Sequence, residues 1–494
     1  MYLNKECRDA NIFLLLSLAN HLLMASPHRK RRPSLVDQMD TPVKLEAEDS
    51  MRQTVQGWLV ILPSVLLVLF EGLVSLITAN LPKFVLRQCT AVVRFLFGVA
   101  GDHETKLNGD IKSTDYLGRK ELLHGALDIH EMAGVFNFTI EDHIVQTDDN
   151  YLLTLHRLNP ESHGIRPNGR VLYFHHGLLM NSEIWLCRED VHENLPLHFL
   201  LQGYDCWLGN NRGNKYSGKH LKYKPSQREF WDFSIDEFVR FDIPNNVDYI
   251  LQTTGKETIS YIGFSQGTTQ IMAALSVNAA LNAKIDKLCV ISPATTPRGL
   301  NNGLLNSILH FSPNLMYLLF GRNILFAQAG LWAQVMYPKL YLISIDIATR
   351  FLFGWKNENM DEADKYVSYY HLYSTTSVKT VVHWFQIMNS ARLTMYKDSS
   401  SLGANFYTPE YPTRTSLAVP TIIIYGTGDS LVDIDQIRQQ LPRKYLKKVV
   451  GLEGYEHLDL IWGRRVGDVI KSVGKFLHYD ELDGESGKSI TINT

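Results

Sequence analysis

From about residue 123 onward, compact apolar runs alternate with longer stretches in which apolar residues recur every three or four positions. "FTIEDHIVQTDDNYLLTLHRL" (138–158) alternates apolar and polar residues around Asp148-Asp149-Asn150, which predicts a β-hairpin. "GRVLYFHHG" (169–177), "GYDCWLG" (203–209), "TISYIGFSQG" (258–267), "KLCVISPA" (287–294) and "VPTIIIYGTGD" (419–429) read as short strands. "FSIDEFVRFDIPNNVDYILQTTG" (233–255) has helical spacing and closes on Gly255. Strands rich in Val, Ile and Tyr that alternate with helices predict an α/β fold, with a mostly parallel sheet covered on both faces.

The pattern changes twice. From Pro297 to about Ser416 it becomes helical and rich in aromatics, among them Tyr317, Phe326, Trp332, Tyr341, Phe353, Trp355, Trp384 and Phe385. A helical insertion of about 297–416 between two sheet strands predicts a cap, although ordinary core packing accounts for most of its aromatics. Before the globular part stand two apolar stretches. "ANIFLLLSLANHLLMA" (10–25) is short for a membrane span and interrupted by Asn20 and His21. Leu23-Met24-Ala25 makes a poor signal-peptide cleavage site. "GWLVILPSVLLVLFEGLVSLITANLP" (57–82) has the roughly 20 apolar residues a span requires. Lys83, Arg87 and Arg94 follow it among apolar neighbours, as in an interfacial helix. The expected organisation is an extension (1–50), a membrane anchor (51–100) formed as a hairpin or a single span, a linker (101–122), a catalytic domain (123–479) and a polar tail (480–494). Met51 stands ahead of the second apolar stretch and is an alternative start to Met1.

Composition narrows the function classes. A net charge of −2 and the lack of a basic stripe interleaved with aromatics exclude a nucleic-acid partner. The five cysteines are scattered and odd in number, which argues against a disulfide framework or a zinc site and favours a cytosolic catalytic domain. The sequon at Asn137 falls in a strand-like run and is read as unmodified. His175 and His176 adjoin without further ligands at metal spacing, so neither a metal nor a cofactor is expected.

"GFSQG" (263–267) carries the chemistry. A serine hydroxyl attacks an ester only when a base takes its proton and the backbone exposes its oxygen. The G-x-S-x-G elbow meets the second need with a strand-to-helix turn too tight for a Cβ at its flanks, hence Gly263 and Gly267 around Ser265. About 0.2 such matches arise by chance in a chain of this length, but the strand before and the helix after are what the motif demands. On such a sheet the acid and base follow in that order. Asp429 lies just past a late strand, whereas Asp433 and Asp435 suit the start of the helix "IDQIRQQL". His457 lies in a loop ahead of the last helical run. The oxyanion donors are expected to be the N–H of Gln266 and that of Leu178, with Leu179 as the alternative to Leu178.

From about residue 127 to 479 the chain resembles the acid lipase group of α/β-hydrolases, which includes gastric and lysosomal lipases. The resemblance rests on "EDHIVQTDDNYLLTLHR", "HHGLLMNSEIW", "GYDCWLGNNRGNKYS", "FWDFSIDEF", "GFSQGTT" and "YEHLDLIWG". Within the group, "GNNRGNKYS", "YSTTSVKTVVHWFQI", "DSLVDID" and the N-terminal hydrophobic segment are most similar to fungal membrane-anchored steryl ester hydrolases. Phe264 stands where the secreted lipases usually have histidine, and the fungal branch tolerates phenylalanine there. The resemblance implies an α/β-hydrolase fold with a cap over the site. It also implies nucleophile, acid and base at Ser265, Asp429 and His457, with oxyanion donors at Leu178 and Gln266. Residence on lipid droplets or the endoplasmic reticulum membrane is implied too. The expected activity is hydrolysis of neutral-lipid esters, steryl esters first and triacylglycerols as the alternative. An acyltransferase using the same acyl-enzyme and a non-catalytic droplet tether are the remaining readings.

Overall fold

The computed structural model describes residues 114–301, 315–398 and 408–478. The expected anchor (51–100), the extension before it and the polar tail (480–494) lie outside the described residues. No helix among the described residues is long and apolar enough to cross a membrane.

The hairpin forms as its alternation predicts. β1 (Glu141–Gln146) pairs antiparallel with β2 (Tyr151–Leu158) around a turn in which Asn150 takes a positive φ of 76°. β3 (Val171–His175) and β4 (Asp205–Leu208) follow, then α-helices Leu195–Leu200, between them in sequence, and Ile243–Thr254, which ends on left-handed Gly255. β5 (Ile259–Phe264) runs into a helix at Gln266–Val277, and β6 (Ile285–Ile291), β7 (Thr421–Gly426) and β8 (Leu446–Leu452) complete the series. The sheet order is β1-β2-β4-β3-β5-β6-β7-β8, with a two-residue strand, Lys219–His220, pairing β2. From β4 to β8 all pairings are parallel. Every residue of β3 and β5 is buried, because helices cover both faces of the sheet, and this is why those strands read as unbroken apolar runs.

Two core clusters lie on opposite faces of the sheet. One contains Phe174, Phe264, Ile424, Trp462 and the last helix (Val466–Leu477); the other contains Tyr173, Tyr261, Ile271, Val290 and Ile423. The aromatic-rich block between β6 and β7 is helical, with long helices at Pro338–Phe353, Glu362–Tyr370 and Val378–Ser390.

Three expectations need correction. The span 101–122 is not all linker, because Thr114–Gly125 forms a helix. That helix docks through Lys120 on Glu189 and Asp364 and through His124 stacked on Tyr366. These partners are distant in sequence, so local composition does not reveal them. Asn137 is not in a strand: it sits exposed in a left-handed turn (φ 61°) after the short helix Ile129–Gly134, and β1 begins four residues later. β8 was not foreseen, because "LKKVVGL" is a sheet-edge strand whose exposed lysines break the apolar run.

Candidate active site

Ser265 caps the C-terminal end of β5, where parallel α/β sheets open their sites. Its φ of 52° and ψ of −119° place a non-glycine residue in strained backbone. Lateral bonds hold it there: the Ser265 N–H donates to Ile291 O at 3.0 Å, and Ser265 O accepts from the Thr268 N–H at 3.0 Å. The predicted need for glycine at both flanks has a direct steric cause. A Cβ on Gly267 would lie 2.5 Å from His175 O and 2.8 Å from His176 O, and one on Gly263 would lie 2.9 Å from the Thr268 nitrogen. The elbow therefore packs backbone against backbone, and a third glycine, Gly177, faces the Ser265 Cβ.

Asp429 and His457 come from neighbouring strand ends and meet. His457 Nδ1 lies 2.7 Å from Asp429 Oδ2, and both side chains are buried. Asp429 Oδ1 accepts from the Leu431 N–H at 3.0 Å, so each of its oxygens has a partner. The histidine loop is fixed from several sides. Asp459 Oδ2 accepts from the Glu456 N–H at 2.7 Å and from Asn359 Nδ2 at 2.9 Å. Gly426 lets the loop cross β7, since a Cβ there would collide with Tyr455 O. Ser292 Oγ donates to His457 O at 3.3 Å. The His457 ring lies 5.1 Å from Phe264, the residue before the serine, and stacks on Trp355 at 5.2 Å with planes 9° apart.

The oxyanion candidates flank the serine on two elements. Gln266 opens the helix Gln266–Val277, whose first N–H groups have no intrahelical acceptors. Leu178 follows Gly177 on the loop after β3. Among the described residues, neither the Leu178 nor the Gln266 N–H has a protein acceptor in this structure. Leu179 takes a positive φ of 58°, and its carbonyl accepts from the Ser374 N–H at 2.6 Å, which ties the loop to the helical insertion. His176 is a spacer of that loop. Nδ1–H donates to Gly177 O at 2.7 Å and Nε2 accepts from the Asn211 N–H at 3.2 Å, which fixes the tautomer. Burial holds its pKa down at about 4.

Two site residues were not singled out from the sequence as such. Trp355 and Trp384 appeared only among the insertion's aromatics, and no signal separated them from core aromatics. Trp384 Nε1 donates to Gln266 Oε1 at 2.7 Å, and Trp355 Nε1 donates to Ser430 Oγ at 3.1 Å, one residue past the acid. The insertion thus touches both the base and the residue after the serine.

A second serine–histidine pair, Ser182 and His156, lies 2.8 Å apart. Ser182 has no exposed surface, no elbow glycines, and an oxygen already contacted by Asn210 Nδ2 at 3.2 Å. It is a structural hydrogen bond.

A strained serine at a central strand end and an aspartate-paired histidine from a later loop are what acyl transfer through a serine requires. Comparisons agree. Residues 170–464 match the family model described as the alpha/beta hydrolase fold, and residues 129–189 match a partial alpha/beta-hydrolase lipase region. The chain is 43% identical over 364 residues to a probable lipase of Schizosaccharomyces pombe, covering 72% of this chain and 77% of that one. It is 31% identical to the gastric triacylglycerol lipase of Homo sapiens, covering 68% and 87%. It is also 31% identical to lipase member K of Homo sapiens, covering 72% and 92%. The chain belongs to the acid lipase group of the α/β-hydrolases. It is a carboxylic ester hydrolase, and the resemblance read from "HHGLLMNSEIW" and "GFSQGTT" places it correctly. In this acid lipase the insertion between β6 and β7 sets one tryptophan on His457 and another on the Gln266 side chain.

Proposed function

We propose that this lipase hydrolyses neutral-lipid esters, principally steryl esters, through an acyl-enzyme on Ser265. The observation that carries the chemistry is the 2.7 Å Asp429–His457 pair lying beside the Ser265 elbow. Asp429 orients the imidazole and stabilises its charged form. His457 takes the Ser265 proton as Oγ attacks the ester carbonyl, and the N–H groups of Leu178 and Gln266 hold the resulting oxyanion. Collapse of the tetrahedral intermediate breaks the acyl C–O bond, and His457 passes its proton to the departing sterol alcohol. Water, deprotonated by the same histidine, then releases the fatty acid and restores Ser265.

The steryl preference is supported by the aromatic content of the insertion and by the apolar segment before the catalytic domain. We assign that segment as an anchor to the lipid-droplet monolayer or the endoplasmic reticulum membrane, with the catalytic domain on the cytosolic side. A second reading, triacylglycerol hydrolysis, is favoured by the similarity to gastric triacylglycerol lipases. The deciding experiment offers cholesteryl oleate and triolein together to detergent-solubilised full-length protein. Preferential release of cholesterol supports the first reading, and preferential loss of triolein replaces it with the second. Ser265→Ala protein that still hydrolyses both would overturn the mechanism.

A further inference from the structure

Away from the Ser265 site, three side chains from three elements converge at the open edge of the β1–β2 hairpin. Asp142 and His156 are cross-strand partners in that hairpin, and His130 projects from the first turn of the helix Ile129–Gly134. His130 Nε2 lies 3.0 Å from Asp142 Oδ1, and His156 Nε2 lies 3.6 Å from the same oxygen. All three candidate ligand atoms fall within 4.8 Å of one another. His156 is fully buried, yet its Nε2 makes no hydrogen bond. Its other nitrogen is held: Nδ1 lies 2.8 Å from Ser182 Oγ and 3.2 Å from Asn210 Nδ2, and the Tyr216 ring packs edge-on at 4.5 Å.

A buried imidazole with one nitrogen anchored and the other aimed at a carboxylate and a second imidazole is the arrangement of a metal-ligating histidine. We propose that His130, Asp142 and His156 bind a divalent transition metal, Zn²⁺ by preference, through two imidazole nitrogens and one carboxylate oxygen, with a fourth position open to water. Zn–N and Zn–O bonds of about 2.0–2.1 Å set tetrahedral ligand separations of about 3.3 Å. The two separations to Asp142, 3.0 and 3.6 Å, bracket that value. The His130 and His156 ligand nitrogens lie within 4.8 Å of each other, and His130 sits half-exposed on a short surface helix. With the metal bound, Nδ1–H of His156 donates to Ser182 Oγ. The carboxylates of Asp128 and Glu183 also face His156 and favour a cation there. No spacing motif announces the site, because twelve and fourteen residues separate its members and only the hairpin register joins them. It is unrelated to His175, which ends β3, and to His176, which opens the oxyanion loop.

The test uses full-length, detergent-solubilised protein stripped with a chelator and then titrated with ZnCl2 against a chromophoric competitor. The wild type should take up one equivalent, raise its melting temperature, and give with Co²⁺ the intense visible absorption of a low-coordinate N/O site. Asp142→Asn and His130→Gln alter half-exposed residues, so their metal-free melting temperatures should match the wild type. Because loss of an outer-shell partner already weakens metal sites by about 10–100-fold, loss of a ligand should weaken Zn²⁺ binding by at least about 100-fold. The proposal is overturned if the wild type binds no Zn²⁺, if Asp142→Asn binds it as tightly, or if Co²⁺ gives only the weak spectrum of the hydrated ion. Should a variant fail to fold, the wild-type stoichiometry and Co²⁺ spectrum decide alone.

Discussion

Replacing Gly267 by alanine adds one carbon and should lower turnover about 10²-fold. The new Cβ would stand 2.5 Å from His175 O and 2.8 Å from His176 O, about 0.9 Å and 0.6 Å short of ordinary contact at 3.4 Å. Both obstacles are backbone. His175 is paired with Gly263 in the parallel β3–β5 ladder, so the strand end cannot retreat without breaking register. The strain must therefore appear as a shift of the elbow, of the Leu178 loop, or of both, by several tenths of an ångström. Overpacking of this kind costs about 1–3 kcal/mol of stability, and a displacement near 1 Å at a reacting centre costs about 10²-fold in rate. Hydrolysis of a soluble p-nitrophenyl ester, which bypasses lipid-interface binding, should show kcat lowered about 10²-fold with a smaller change in KM. Ser265→Ala sets the floor of the assay. If Gly267→Ala protein retained kcat within threefold of wild type, the inference that backbone contact positions the nucleophile would be wrong.

The remaining predictions address the base, its support and the charge balance of the core. Asp429→Asn should lower kcat by about 10⁴-fold while leaving the melting temperature close to wild type, because the amide offers His457 the wrong hydrogen-bonding partner; a loss under tenfold would point to another acid. Trp355→Ala should cost about 3–5 kcal/mol in urea unfolding and slow hydrolysis, and Trp355→Phe, which keeps a ring on His457, should recover most of the rate. His176 is held neutral, its pKa lowered by burial to about 4, so the unfolded chain takes up a proton below about 6.5 that the folded chain refuses. Stability should be full above pH 6.5 and fall as pH drops toward 4, by an amount of order 3 kcal/mol; unfolding free energies flat between pH 7 and 4.5 would contradict this. Glu183 adds a lower window. Burial opposes its charge, but His371 and Lys215 prevail and hold its pKa at about 2, so its contribution is present above 4.5 and is lost as pH falls toward 2.

What the sequence made legible follows one physical rule. A feature is readable when its cause is local or when chain order alone restricts it. The elbow is local: two glycines, a serine, an apolar strand and a helix are contiguous, and the contacts that demand the glycines are made by backbone that any α/β-hydrolase elbow brings near. Asp429 and His457 are not local, but the order serine, acid, base on a parallel sheet leaves few positions past the later strands, and the 2.7 Å bond joins the pair so chosen. The helix at Thr114–Gly125 fails the rule. Its residues look like linker because its stabilising partners, Asp364 and Tyr366, are about 240 positions away. The Asn137 turn fails for the opposite reason: "FNFT" has strand-like composition, but the preceding helix ends in a left-handed turn there that composition does not reveal.

Trp355 and Trp384 show what the rule leaves out. Both lie in a block of aromatics with similar local patterns, yet one stacks on the base and the other holds the side chain of the residue after the serine. Neither contact has a sequence signature, because each depends on how the insertion folds back over the strand ends. The two contacts also couple that insertion to the reacting groups. The Trp355–His457 stack and the Trp384–Gln266 hydrogen bond therefore tie the packing of the insertion to the order of the base and of the helix start after the serine.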